Sequence, residues 1–570
     1  MHCGLERAVR MTRKPSRRGS LPWSWRSLVF GVALAGVALL PLPLAAQHHH
    51  HGADETAPRW TTRYGGLHVR VGTHDAEAQR LFDQGLLLVY SFSHKAAAQA
   101  FVEATRRDPG LAMAHWGVAL SMRAYINAPF TGERYRRGRE AALRAHRLRA
   151  RASAREQAYI QAIQFLYEAA PADADHRRQQ QRYAAAMRQL ADRYPDDLDA
   201  ATLAMEARMT LNPWRLWNEN GRPADGTAEI VDTLESVLRR NPDHVGANHL
   251  LIHALEASPT PERALAAAIR LDGLDLDTGH LAHMPGHIYL RLGDYANLVR
   301  SNRNAVEADE AFLAAEPGED SVYTRYHLHN LDFVVVGETE RGNWAGADQA
   351  ARQFDTIARR LVPTRPGADY LLTRRVTVLV LFERWEDVLA LDEPAPEQPV
   401  ARAYFAYARG VAHAALGNID RAQAAARTLD ALRASLPASA TFRGNDARQI
   451  MAIASHVLQS RIATAQGRPL DAIASLQLAV ALQDGLRYEE PPSWDFPLRE
   501  LLGRTWLQAG DAARAEGVFR DNLIRYPRHP RTLAGLRDSL EAQGFTDQAA
   551  LVAQQWRLGW MGAGSQAAEP

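Results

Sequence analysis

The sequence predicts an all-α protein, built as a solenoid of stacked antiparallel helix pairs. Three observations carry this reading. Small and large apolar residues recur at a period of roughly 34 residues, the length of one helix–turn–helix unit. Within each unit the apolar positions follow helical spacing, and strand signals are almost absent. The chain has 570 residues, far more than one core needs, yet a repeat array escapes that limit because each unit packs mainly on its neighbours.

The clearest unit begins at Ala78. Leu81, Gly85, Leu88, Ala97, Phe101, Ala104 and Pro109 fall at positions 4, 8, 11, 20, 24, 27 and 32 of it. Small residues let the two helices approach, and the proline ends the second. The pattern returns at Leu234, Val237 and Pro242, and at Gly286, Tyr289, Gly293 and Tyr295 in a unit starting at Gly279. It returns again at Gly410, Gly417 and Ala422, and at Gly467, Ala472, Leu476 and Ala479. Gly503, Gly510, Ala515, Phe519 and Pro527 mark another unit, with a terminal pair around Gly544. The middle keeps helical spacing with less of the consensus, as at Asn343-Trp344-Ala345 after Gly342. This spacing resembles the tetratricopeptide repeat (TPR). The resemblance implies a right-handed superhelix of roughly eight to ten helix pairs over residues 74–560, with a disordered tail at 561–570.

Composition is ordinary for a soluble globular chain, with 46% hydrophobic and 23% charged residues. Formal net charge is +2. Residues 1–46 hold seven Lys/Arg and one Glu, so without them the remainder sits at −4. That balance argues against nucleic acid as a partner. The single cysteine, Cys3, lies in the same segment. Without it, disulfides, thiolate nucleophiles and Cys-ligated metals are excluded, and any metal needs His, Asp or Glu ligands.

Residues 1–46 read as a secretory signal peptide. Arg13, Lys14, Arg17, Arg18 and Arg26 precede the apolar run Leu28 to Leu40, which Pro41 and Pro43 break before a small-residue cleavage site at Leu44-Ala45-Ala46. An exported, periplasmic protein follows, touching membrane only through this segment. The alternative is an uncleaved inner-membrane anchor over residues 28–46, for which the run is short. Ser16-Arg17-Arg18 leaves the general and twin-arginine export routes open. Residues 47–73 read as a flexible, His-rich segment, with His48 to His51 able to chelate a metal as a low-complexity tract.

Two aromatic, turn-rich loops interrupt the array, at residues 211–221 and 488–497. They are too apolar for mere linkers. Packing plugs are the expected role, because aromatic residues usually supply packing area; groove lids are the alternative.

Eight of the 22 histidines fall between His244 and His329. His249, His253 and Glu256 lie at i, i+4 and i+7, on one helix face. His280, His283 and His287 lie at i, i+3 and i+7 and share a face if the helix begins by Gly279. Pro285 complicates this, since proline suits only the first turn; a helix starting near Met284 would leave His280 in the preceding loop. The TPR resemblance places these residues on matching first-helix positions that line the concave groove. Adjacent helix axes lie roughly 8–10 Å apart, so the two His-x-x-x-His pairs can converge on one ion. His249, His253, His283 and His287 are therefore the candidate metal ligands, with His329 a further ligand. Glu256 is a ligand, an orienting partner or a general base. Imidazole donors suit Cu, Zn or Fe. His280, His327, Tyr404, Tyr407 and Glu500 are candidate groove residues that contact a ligand, with Arg504 beside Glu500. The competing reading is a metal-free polar network in a scaffold that grips a peptide or protein partner. His-Glu-x-x-His is absent, so no standard zinc-peptidase helix is present.

Several segments resemble a family of bacterial exported TPR proteins. They are Phe101 to Pro109 with Ala112-Met113-Ala114-His115-Trp116-Gly117, His249 to Pro259, His283-Met284-Pro285-Gly286-His287-Ile288-Tyr289, Glu490-Pro491-Pro492-Ser493-Trp494, and Arg499-Glu500. The resemblance covers nearly the whole chain after the leader. It implies the fold and carries no established activity.

Overall fold

The structure is a computed structural model. It describes residues 65–170, 174–274, 276–315 and 322–560. Residues 1–46, read above as a signal peptide, His48 to His51, and residues 561–570, read as a disordered tail, lie outside the described residues.

The chain is an all-α solenoid of TPR type, and twelve consecutive helix pairs are described. The first four are α1 (Ala76–Tyr90) with α2 (His94–Arg107), α3 (Ala112–Met122) with α4 (Gly132–Leu148), α5 (Ala154–Gln164) with α6 (His176–Arg193), and α7 (Leu198–Met209) with α8 (Thr227–Arg240). Then α9 (Val245–Leu255) pairs with α10 (Leu265–Gly273). A rod of two short helices, α11 (Gly279–His283) and α12 (Pro285–Leu292), pairs with α13 (Tyr295–Ala315). Next come α14 (Val322–Glu340) with α15 (Trp344–Leu361), α16 (Arg374–Leu381) with α17 (Trp385–Ala390), and α18 (Pro399–Ala415) with α19 (Ile419–Ser435). The last pairs are α20 (Ala447–Ala465) with α21 (Pro469–Asp484), α22 (Leu498–Gln508) with α23 (Ala512–Arg525), and α24 (Pro530–Ala542) with α25 (Thr546–Trp560). The count exceeds the expected eight to ten because pairs such as α5–α6 and α16–α17 lack the glycine signature. Among the described residues, no helix is long and apolar enough to cross a membrane.

Local chemistry explains the helix ends. Asp75 caps α1 by accepting from the amides of Glu77 and Ala78, and Ser153 and Glu156 form a reciprocal capping box at α5. The repeat consensus is a packing device. Phe101 of α2 is fully buried between Gly85 and Gly117, and a Cβ on either glycine would come within 3 Å of its ring. Phe519 of α23 sits between Gly503 and Gly535 in the same way. Gly117→Ala is therefore expected to destabilise the protein by about 1–3 kcal/mol through overpacking. Gly517, on α23 with open space at its Cβ position, is the control: Gly517→Ala is expected to stabilise by about 0.5–1 kcal/mol. Opposite shifts in melting temperature check the pair.

Residues 65–73, the end of the segment read as flexible, lie along α1. Val69 donates its amide to Asp83 (3.0 Å), Val71 donates to Gln79 (3.0 Å), and the Val71 side chain is buried. Among the described residues, the strands are two of two residues each, forming one hairpin between α19 and α20 that pairs Thr441 with Asp446 and Phe442 with Asn445. Its turn residue Arg443 has φ +53 and reaches Asp332 on α14.

The last third of the chain also packs on the histidine-bearing repeats, beyond the nearest-neighbour contacts of a simple array. Arg528 Nε donates to the Leu292 carbonyl (2.8 Å), while His529 and Arg531 meet Glu340 at the end of α14. Gly293 has φ +68, and its missing Cβ leaves room for the Pro527 carbonyl. A side chain there would face both a left-handed backbone and that carbonyl.

Candidate metal centre

The centre is built on α9, the α11–α12 rod and α14. His244 caps α9, its Nδ1 accepting from the Ala247 amide (3.2 Å). That start puts His249 and His253 on one face, with Glu256 at the C-cap. The rod is nearly continuous. Met284 keeps αR geometry (φ −54, ψ −38), and Pro285 opens α12 where its missing N–H costs nothing. His280 and His283 therefore both lie on α11, not in a loop, and His287 follows on α12. Gly279 and Gly286 let α13 close on the rod: a Cβ on either would run into Asp309 or Asn302. His249, His253, Glu256, His280, His283 and His287 are all buried, the most exposed at 6%.

The histidines sort into two triads. The ring nitrogens of His249, His253 and His280 lie within 4.8 Å of one another, as do those of His283, His287 and His329. In the first triad, His249 Nε2 faces His280 Nε2 at 3.1 Å. In the second, His283 Nε2 faces His287 Nε2 at 2.7 Å. The rod feeds both: His280 sits against α9, while His283 and His287 lie beside His329 of α14, with ring centroids 4.7 and 6.0 Å from it.

Hydrogen bonds on the far side of three rings set their tautomers. His249 Nδ1 lies 2.5 Å from the Tyr90 carbonyl, which only accepts, so Nδ1 carries the proton. That carbonyl is one that the end of α1 leaves without a helical partner. His253 Nδ1 donates to Glu256 Oε1 (3.0 Å). His283 Nδ1 donates to Asn302 Oδ1 (2.7 Å), and the Asn302 amide is oriented by donating to the Leu298 carbonyl (2.9 Å). Each of these rings therefore turns an Nε2 lone pair inward. His253 Nε2 is buried with no hydrogen-bond partner in the protein.

Aromatic walls close the space. Phe92, in the turn after α1 with φ +55, places its ring 4.6, 5.6 and 5.3 Å from those of His249, His253 and His280. A non-glycine residue in that region costs about 1–3 kcal/mol. Phe333 of α14 packs 4.6 Å from His283 and 5.0 Å from His287. Tyr326 stacks on His280 at 4.9 Å.

Two carboxylates touch the centre. Glu256 contacts His253 Nδ1 with one oxygen and His287 Nδ1 with the other, the latter at 2.6 Å. Glu490, from the 488–497 loop, also meets His287 Nδ1. Burial holds His249, His280 and His283 well below the ordinary imidazole range, and His329 down to about 3. Burial alone would raise Glu256 and lower His287. His253 and His287 outweigh it for Glu256, which is held low. Glu490 and Glu256 outweigh it for His287, which is raised. Burial pushes Glu490 up to about 7 against the opposing pull of His287.

The remaining sequence candidates lie elsewhere. His327 is buried on α14 but belongs to neither triad. Tyr404 and Tyr407 are buried in the α18–α20 core against Trp494, and the Tyr404 hydroxyl bonds that of Thr377 (2.9 Å). Glu500 pairs with Arg504 on its own helix. Tyr90, Phe92, Asn302, Phe333 and Glu490 are site residues that sequence reasoning missed. Glu490 alone carried a signal, since its loop stood out. That loop packs as expected of a plug and also reaches the centre: Trp494 lies in the core, Tyr488 lies 5.5 Å from the Arg291 guanidinium, and Glu490 reaches His287. The 211–221 loop behaves alike. Trp217 Nε1 donates to the Ala254 carbonyl (2.7 Å), and Trp214 lies edge-on to His253 at 5.6 Å.

No known protein-family model matches the chain, and no curated protein matches it. Among solved structures it is similar to the APC/C hetero-tetramer Cut9–Hcn1, with 12% identity over 82% of this chain and 77% of that one, and a TM-score of 0.27. It is also similar to yeast Tom70, with 12% identity over 84% of this chain and 96% of that one, and a TM-score of 0.28. At such scores the fold rests on the helix pairing itself.

Proposed function

We propose that this chain is an exported repeat protein that binds a transition metal (copper, zinc or iron) in a buried histidine centre. One observation carries the reading: Nδ1 of His249, His253 and His283 is tied to an oxygen acceptor, while Nε2 of His249 and His283 meets only another imidazole nitrogen and Nε2 of His253 meets no partner. Metal-ligating histidines have this arrangement, with the outer nitrogen bonded to a carbonyl or carboxylate that fixes the ring. His249, His253, His283 and His287 are the proposed ligands, joined by His280 and His329. Glu256 orients two of the rings, which leaves it less free to act as a general base. Burial favours an ion over a gripped peptide or protein segment, because a peptide groove needs accessible side chains. Export rests on the leader read from residues 1–46 and places the centre in the periplasm.

The test uses protein lacking residues 1–51, so that His48 to His51 contribute nothing, purified without metal-affinity resin. Elemental analysis is expected to find at least one equivalent of bound metal per chain. Added copper or zinc is expected to raise the melting temperature of metal-stripped protein, and His253→Ala to abolish that rise. Absence of stoichiometric metal, together with a melting temperature unmoved by copper, zinc or iron, would falsify the reading.

A further inference from the structure

We infer that the centre holds two ions rather than one, each on its own set of three histidines. This rests on the metal-binding reading above and extends it. His249, His253 and His280 form the first site; His283, His287 and His329 form the second. A metal–imidazole bond is about 2.0–2.1 Å long, so two ligands of one ion are at most about 4.2 Å apart. Within each triad the nitrogens lie within 4.8 Å of one another, so small rotations close either set on an ion. The six nitrogens do not form a single such group. The division lies in the nitrogens and not in the ring centres: His253 and His287, across the triads, are 5.8 Å apart, while His253 and His280, within one, are 6.0 Å apart. One ion cannot reach all six, whereas two neighbouring ions can.

The surrounding groups follow the same division. The first set has the Tyr90 carbonyl behind His249 and Phe92 as its wall. The second has Asn302 behind His283 and Phe333 as its wall. Glu256 is the shared element, with one oxygen on His253 and the other on His287. A single carboxylate thus orients one ligand of each ion. Three protein ligands per ion leave an open coordination position at each. The neighbouring sites then suit a small bridging ligand such as hydroxide.

The donor set points to copper. All six donors are imidazole nitrogens, a set that suits copper, and copper outranks the other divalent first-row ions on a given nitrogen site. Glu256 and Glu490 lie against ring Nδ1 atoms, and with His287 they form a third close group, so a carboxylate can join the imidazoles in holding an ion.

The experiment uses the chain lacking residues 1–51, stripped of metal, loaded with copper under reducing conditions and desalted. Elemental analysis is expected to give two copper per chain. His280→Gln and His329→Gln are each expected to retain one, and the double variant none. His249→Gln and His283→Gln repeat the division, so one misfolded variant does not decide the outcome; circular dichroism establishes folding for each. A second readout needs no variant: after oxidation, the two coupled Cu(II) ions are expected to give an electron paramagnetic resonance intensity far below the copper content. The single-site variants are expected to give full intensity. One copper per wild-type chain with full intensity overturns the two-ion proposal and leaves the metal-binding reading standing. A folded single variant that loses both coppers overturns it too. A wild-type chain that holds no copper or other metal removes both.

Discussion

Glu256→Gln is expected to loosen both histidine sets at once. The residue is 2% exposed, and its side chain touches one ring of each triad. Glutamine keeps the volume but removes the charge that holds His253 and His287 in place. Breaking a buried pair from one side costs about 3–5 kcal/mol, because the remaining group is left without compensation. In a repeat array this loss is local, so amide hydrogen exchange is the suitable measurement. Protection is expected to fall in α9 and in the α11–α13 unit while α18–α21 stay unchanged. Metal affinity is expected to drop by about 10- to 100-fold, the usual effect of losing an orienting partner. Glu490→Gln is the comparison. It touches His287 alone among the six histidines of the two triads, so its effect is expected in the rod without one at His253. Equal loss of protection across α9 and the rod in both variants would refute the role assigned to Glu256.

Acid is expected to release the C-terminal repeats from the histidine-bearing ones. Glu340 ends α14 at 5% exposure, with His529 Nε2 at 2.9 Å and Arg531 at 3.2 Å. Burial works to raise its pKa, but His529 and Arg531 outweigh burial and hold it at about 2, against an ordinary value of 4.5. The folded value is the lower one, so the contribution to stability is fully present above about pH 4.5. It is lost as pH falls from there toward 2. The shift corresponds to roughly 3 kcal/mol. Hydrogen exchange at α24 and at the Leu292–Tyr295 turn is expected to speed up through that window. Glu340→Gln is expected to weaken the same contact at neutral pH and to flatten its acid response. An acid response in Glu340→Gln identical to that of the parent chain would sink this account.

Different parts of the molecule were legible for different reasons. The repeat was legible because its signal is local: a phenylalanine that needs two facing glycines imposes fixed spacings, as at Gly85, Phe101 and Gly117. Pairs without that device, such as α16–α17, left no comparable trace, and the pair count came out low. The histidines were legible as two face-sharing sets, because helical periodicity alone puts His249 with His253 and His283 with His287. Pro285 left open whether His280 belonged to a helix. The structure answers through Met284, which holds αR geometry and carries the helix up to the proline.

Sequence by itself determined the class of fold, the order of the units and the two face-sharing sets into which most of the clustered histidines fall. The histidine sets depend on residues within about two turns of one another, and the fold class on spacings within one helix pair; in both, backbone geometry fixes the spacing. Tertiary structure decided how the six imidazoles divide into triads. It also decided which nitrogen each ring turns inward, through the Tyr90 carbonyl, Asn302 and Glu256. It brought Glu490 to His287 from a loop roughly two hundred residues away along the chain, and Tyr90 to His249 across a gap almost as long. No periodicity spans such separations. They follow from how the stacked units bring distant turns together, and burial then turns those contacts into fixed tautomers and charges.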